Sequence, residues 1–210
     1  MNVPNSLPER LYLLAYDTHR QKIRCGDLGY LLRAAALADL YLSGHLTEES
    51  GRPQVFVRRP GPDPMLDAVL GQIADSRPRP WTHWVRKSSR GMVRTVRDQL
   101  AADGWIRVEP RRRYGILRYN KVTVRDPRVV TQLTRGVSTA LQGGRPSGRV
   151  DPYEAAAAAL AANGELRAVL NRKDRRRHKQ RINELSAVTG PAATALRKAI
   201  QQKRAAQHAS

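Results

Sequence analysis

Cysteine and phenylalanine are each present once, as Cys25 and Phe56, in a chain of 210 residues. A single thiol excludes an intramolecular disulfide and an all-cysteine metal site, and a reducing compartment is the simple expectation. The histidines, at 19, 45, 83, 178 and 208, are scattered. His45 is followed by Glu48 and Glu49, but Gly44 and a strand-like sequel argue against one helical turn holding all three. No stretch approaches the roughly 18 apolar residues of a spanning helix. The opening MNVPNSLPER lacks the basic region and apolar run of a secretory signal. GDLGYLLR contains a GxxG spacing, but neither GxGxxG nor GxxxxGK[ST] occurs, and no serine sits in a GxSxG turn. These absences predict no metal, no cofactor and no enzymatic activity. They predict a soluble or peripheral cytoplasmic protein rather than an integral one.

Positive charge is what the chain has in excess: +20 net, with a pI near 11.3. Such a balance calls for an anionic partner: nucleic acid, a membrane surface or a polyphosphate. The charge is clustered. Residues 77–97 carry seven Lys/Arg and no acid, 107–125 carry seven against Glu109, and 172–181 carry seven against Asp174. Those three stretches hold +19, so the rest of the chain is close to neutral.

The pattern predicts a mainly α protein, a single helical domain decorated with β-hairpins. A short helix opens at Pro8, and a stronger one over 27–43 has Asp27 as its candidate N-cap and Gly44 past its end. HLTEESGRPQVFVRR reads as strand, turn and strand. Helices are predicted over 64–75 and 88–102, the second followed by a hairpin. The back third reads as helices over 127–141, two short ones hinged at Asn163-Gly164, a basic one over 173–187 and a last one over 191–204, with RAAQHAS frayed. The main domain is drawn over 1–190, with 191–210 as a C-terminal helix and tail. LADLYLSGHLTEESGRPQVFVRR and VRDQLAADGWIRVEPRRRYGILRY share one plan: helix, glycine, short strand, turn, strand.

Arg90, Arg94 and Arg97 stand at i, i+4 and i+7, which puts three guanidinium groups on one helix face, with Asp98 expected to point elsewhere. Guanidinium forks match phosphate oxygens, so the row suits a phosphate clamp. Arg33, the lone cation of an apolar helix, is either a second such group or an exposed edge position. Trp105 reads as core; Trp84 either packs under the basic helix or walls a pocket. The following hairpin has a cationic shoulder, Arg111, Arg112, Arg113 and Arg118, around an apolar tip, Tyr114, Ile116 and Leu117. As a winged helix, the segment 88–125 would set Arg94 and Arg97 on a recognition helix and the shoulder arginines on phosphates. As a membrane device, the tip would enter the interface, each buried apolar side chain adding about 1.5–3 kcal/mol. Each cation near an anionic leaflet adds about 1 kcal/mol. A nucleic-acid wing gains little from an Ile-Leu tip, so the membrane reading is favoured over the nucleic-acid one. A basic face meeting acidic tails of partner proteins is a third reading, and the tip also suits self-association.

PERLYLLAYD, LLRAAALADLYLSGHL and MVRTVRDQLAADGWIRVE with its hairpin, in that order and spacing over about residues 6–190, resemble the Golgi phosphoprotein 3 family. The resemblance implies a mainly helical, non-enzymatic, peripheral protein that binds phosphatidylinositol 4-phosphate and recognises cytoplasmic tails of membrane proteins. It implies a head-group pocket using Arg33, Arg94 and Arg97, with Arg90 beside them, and insertion of the hairpin over about 108–124. The pocket tryptophan of the family falls near Arg24 and Cys25, where this chain has none. The compact chain is similar to a bacterial member of the family.

Overall fold

The computed structural model describes residues 3–58, 63–113, 117–143 and 149–209, apart from the side chains of 112, 113, 117 and 118. Its centre is α2 (Leu28–Leu42), a helix apolar nearly all round, in which every side chain from Leu31 to Leu40 is buried. A helix of that kind has no solvent face and must be wrapped. The wrapping comes from α1 (Leu7–Leu14), α3 (Pro64–Ala74), α4 (Trp81–Arg86), α5 (Ser89–Ala102), α7 (Pro152–Asn163) and α10 (Ala192–His208). A second buried helix, α7, presents Ala155 to Ala162 with no exposed face. Alanine at so many positions lets neighbouring helices approach closely. Between them, α6 (Pro127–Gln142) covers α7 and α1.

Three helices begin at an Asp-Pro pair, and the geometry shows why. Asp63 accepts hydrogen bonds from Met65 and Leu66 amides, Asp126 from Arg128, and Asp151 from Tyr153 and Glu154. Each aspartate satisfies amides left free by the first turn, while proline occupies a position that needs no donor.

Among the described residues, three antiparallel hairpins decorate the helical body: β1–β2 (Tyr16–Asp17, Lys22–Ile23), β3–β4 (Leu46–Glu49, Arg52–Val55) and β5–β6 (Ile106–Arg113, Leu117–Val124). The shared plan of the two helix-hairpin units is realised in matching hydrogen bonds. Gly44, at φ +74°, and Gly104, at φ +78°, end α2 and α5. One residue on, the His45 amide bonds the Leu40 carbonyl and the Trp105 amide bonds Leu100, both at 2.9 Å. Both are helix-ending motifs that need a left-handed residue.

Several expectations are corrected. Asp27 makes no cap; its carboxylate takes the Lys203 ammonium at 2.6 Å instead. The segment after Gly164 is a set of turns, not a helix, with Glu165 at φ +53°. Asn163 is held there by the Ala159 carbonyl and Ser186 hydroxyl. The basic helix is two pieces, α8 (Arg172–Arg177) and α9 (Lys179–Val188), broken at His178. Crowded like charges at i, i+3 and i+4 disfavour one continuous helix. Conversely, α10 stays helical to His208. Among the described residues, no helix is long and apolar enough to cross a membrane.

Gly29 marks the closest crossing. A Cβ placed there would collide with the Ser89 carbonyl oxygen and come within 2.8 Å of its carbon, both backbone atoms. Gly29→Ala should therefore force α2 and α5 apart and destabilise by about 1–3 kcal/mol. Thermal melts of the variant will show this as a lowered Tm; an unchanged Tm would mean the crossing is slack.

Candidate functional site

The 77–97 charge run is divided by the chain itself. Ser88, at φ +53°, separates α4 from α5, and the two halves serve different surfaces. On α5, Met92, Val96 and Leu100 are buried, which leaves Arg90 and Arg94 exposed and Arg97 half-buried at the margin. Asp98 does not point away. Its Oδ1 accepts Nε of Arg97 at 2.9 Å and Nη2 at 2.7 Å, because the long guanidinium stem bends around the helix. Such a pair at the surface adds at most about 1 kcal/mol, so the guanidinium is easily exchanged to another anion.

Arg97 lines a cleft of about 580 Å³ with Tyr12 and Leu28 on one side and Tyr119, Asn120 and Val122 of β6 on the other. Burial pushes the Tyr12 hydroxyl up to about 12 against the opposing field of Arg97. Tyr119 is half exposed above the cleft. The structure thus brings Arg97 alongside β6 of the hairpin, while Arg90 and Arg94 do not line this cleft. Along that hairpin Ile106 and Val124 are paired and buried, Val108 and Val122 are paired and half-buried, and pairing extends to Arg113 and Leu117. Arg111 is exposed and shares Glu109 with Arg107. Tyr114 and Ile116 lie outside the described residues, as do the side chains of Arg112, Arg113, Leu117 and Arg118.

Arg33 is placed elsewhere. It is 1% exposed, not on an edge. Its Nε donates to the Trp84 carbonyl at 3.1 Å and Nη1 to Gln72 at 3.4 Å, while Nη2 has no partner. The Trp84 carbonyl belongs to the last turn of α4 and has no intrahelical donor to spare, so the guanidinium serves as its cap. Burial lowers the Arg33 pKa to about 10, and it remains charged at neutral pH. The cleft that Arg97 lines does not include Arg33.

Trp84 is buried, with the Lys87 ammonium 4.8 Å from its ring centre and His83 edge-on at 5.3 Å. Beside it opens a cationic cleft lined by Arg77, Arg79, His83, Arg86 and Lys87, with Gln202 of α10 opposite. His83 is held below its usual pKa by burial first, and then by Arg79, Lys87, Arg86 and Arg33.

A cavity of opposite sign escaped the sequence reading. About 650 Å³ in volume, it is lined by Glu9, Asp39, Asp63, Asp67 and Asp103, together with half-buried Trp105. Its residues come from α1, α2, the start of α3 and the end of α5, and no spacing in the sequence links them. Cys25, the one thiol, is pushed up to about 11 by burial, which makes it a poor nucleophile.

The family model for Golgi phosphoprotein 3 (GPP34) matches residues 7–203. The chain belongs to the GPP34 family. No curated protein matches it. The match runs from the first residue of α1 into the last turns of α10, so the GPP34 unit takes in all three hairpins as well as both buried helices.

Proposed function

We propose that this GPP34 protein attaches peripherally to the cytosolic face of a membrane by holding a phosphorylated head group, of the phosphatidylinositol 4-phosphate kind, and inserting a hairpin. The family is one of lipid-binding adaptors, which supports the class. The observation that carries the reading is the cleft joining Arg97 to Tyr119 of the β5–β6 hairpin. A head group held by Arg94 and Arg97, with Arg90 alongside, sits at the foot of the segment that would enter the interface. Arg33 contributes its uncompensated buried charge from behind α4. Arg111, Arg112, Arg113 and Arg118 supply less specific attraction, and Tyr114, Ile116 and Leu117 the insertion. In the adaptor role, cytoplasmic tails of membrane proteins are the second partner.

The insertion half is tested by Ile116→Asp with Leu117→Asp. Each lost apolar burial costs about 1.5–3 kcal/mol, so attachment even to strongly anionic vesicles should weaken by tenfold or more. Co-sedimentation measures this, and full retention would show attachment by charge alone. A duplex DNA competitor in the same assay separates the nucleic-acid alternative, which predicts that DNA strips the protein from vesicles and that the tip substitutions are silent.

A further inference from the structure

We propose that the cationic cleft between α4 and α10 is a second anion site, binding a phosphate monoester or a diphosphate, free or carried on a lipid head group. The site does not depend on the membrane reading, since none of its lining residues belongs to the arginine row or the hairpin.

The cleft, about 880 Å³ in volume, takes Arg77 and Arg79 from the stretch before α4, His83 and Arg86 from α4, and Lys87 from its end. No carboxylate lines it. Arg77, Arg79 and Arg86 are exposed and have no acidic partner among the described residues. Cations elsewhere do pair: Arg24 with Asp17, Lys203 with Asp27, Arg204 with Glu165. Even the neighbouring Asp75 is turned to Arg58, at 2.9 Å. A cation in the last turn of a helix is favoured by the helix dipole, which accounts for Arg86. It does not account for Arg77 and Arg79, which precede the first turn, where a cation is disfavoured.

A second observation lies behind the cleft. Arg33 is 1% exposed, and its hydrogen bonds go to neutral groups, the Trp84 carbonyl and Gln72. Its field reaches His83 in the cleft wall. A buried charge without a counter-charge is costly, and an anion in the cleft offsets it.

The chemistry narrows the ligand. Guanidinium forks match phosphate oxygens, and Ser76, Thr82 and Gln202 add neutral donors to the wall. A monoester carries about two negative charges near neutral pH, so it answers this cluster of cations better than a singly charged diester. Part of the site is held ready. Lys87 Nζ sits 4.8 Å from the Trp84 ring centre and donates to the Ser76 hydroxyl at 3.5 Å. Pro78 and Pro80 stiffen the backbone that carries Arg77 and Arg79, so less freedom is lost on binding.

His83 reports occupancy. Beyond burial, the groups that lower its pKa are Arg79, Lys87 and Arg86 of its own segment and Arg33 of α2, all cationic. From α10, Gln202 faces the cleft, and Lys203 is engaged with Asp27. A bound anion opposes that field, so the imidazole holds its proton to higher pH.

The test is nuclear magnetic resonance of the His83 ring in the full chain, identified by its loss in His83→Gln, during titration with pyrophosphate and with glycerol phosphate. Saturable one-to-one binding is expected to move that resonance and to raise its titration midpoint by roughly half a pH unit. Arg79→Ala with Arg86→Ala, both at exposed positions, should weaken binding by roughly tenfold. Arg94→Ala with Arg97→Ala should leave it unchanged, so the two clefts are judged separately. Co-sedimentation with phosphatidylcholine vesicles containing phosphatidic acid identifies the source. Weaker sedimentation of the Arg79 and Arg86 variant, a difference that pyrophosphate erases, identifies a lipid head group; equal sedimentation identifies a free phosphate. The proposal is overturned by the absence of a saturable response at His83, or by a response that the Arg79 and Arg86 variant keeps. A stronger response to duplex DNA than to pyrophosphate, at equal phosphate, also overturns it and makes the surface a nucleic-acid contact.

Discussion

Protein carrying Arg94→Ala and Arg97→Ala is expected to lose roughly 10²-fold in affinity for vesicles containing phosphatidylinositol 4-phosphate, with its fold intact. Hydrogen bonds to a charged partner contribute about 1.5–3 kcal/mol each, and the two guanidinium groups are the pair proposed to hold one phosphate. The fold should tolerate both changes. Neither residue is among the buried positions Met92, Val96 and Leu100, and alanine is the better helix former. Removing the Arg97–Asp98 pair costs little, because Asp98 is more than half exposed. Asp98→Asn serves as the counter-control: it frees the Arg97 guanidinium and should strengthen binding. Co-sedimentation across a salt series, with circular dichroism of each variant, measures all three. Unchanged binding by the folded double variant would remove these arginines from the site. Loss of wild-type binding to salt and DNA alike would favour a generic basic surface.

The elements that could be read from sequence are those specified by local chemistry. Asp-Pro pairs at 63–64, 126–127 and 151–152 announce helix starts because the aspartate oxygen and the proline ring each settle a backbone problem on the spot. Gly44 and Gly104 announce helix ends for the same reason, being the left-handed residues from which a hairpin departs. The weaker elements either carry too little local signal or depend on distant partners. The two-residue strands of β1–β2 carry too short a pattern to see, and the break at His178 comes from charges crowded within one segment. Asp27 had the chemistry of a cap and was diverted by Lys203, 176 residues away in the chain.

The candidate site divides along the same line. Helical spacing places Arg90, Arg94 and Arg97 along one helix, and glycine-terminated α5 leads directly into the hairpin, so the approach of Arg97 to β6 was legible. The bend of Arg97 onto Asp98 was not, because spacing fixes where a Cα sits and leaves a long, flexible side chain free. Arg33 shows the limit more sharply. A lone arginine in an apolar helix reads as either a phosphate-binding group or an edge residue, since an unpaired buried charge is expensive. Here the α4 carbonyl and Gln72 meet it, and both arise from segments 39 to 51 residues later. The acidic cavity is less legible still, because its carboxylates are spread from residue 9 to residue 103.

That cavity also carries the largest expected effect on stability, at Glu9. Burial pushes its carboxyl up to about 7 in the folded protein, against an ordinary value of 4.5. Between those values the folded chain holds a proton that the unfolded chain has released, so stability falls as pH rises. The contribution is fully present below about 4.5, is lost as pH rises through 7, and is flat above. A displacement of this size corresponds to at most about 3 kcal/mol. Glu9→Gln keeps the shape and removes the ionisation. The variant should therefore match the wild type near pH 4.5 and exceed it increasingly up to pH 8, where the wild type carries a buried carboxylate. Asp39, also raised by burial, acts in the same direction in both proteins and cancels in the difference. Thermal melts at unit steps from pH 5 to 8 will show diverging Tm curves; parallel curves would mean that Glu9 is solvated when charged.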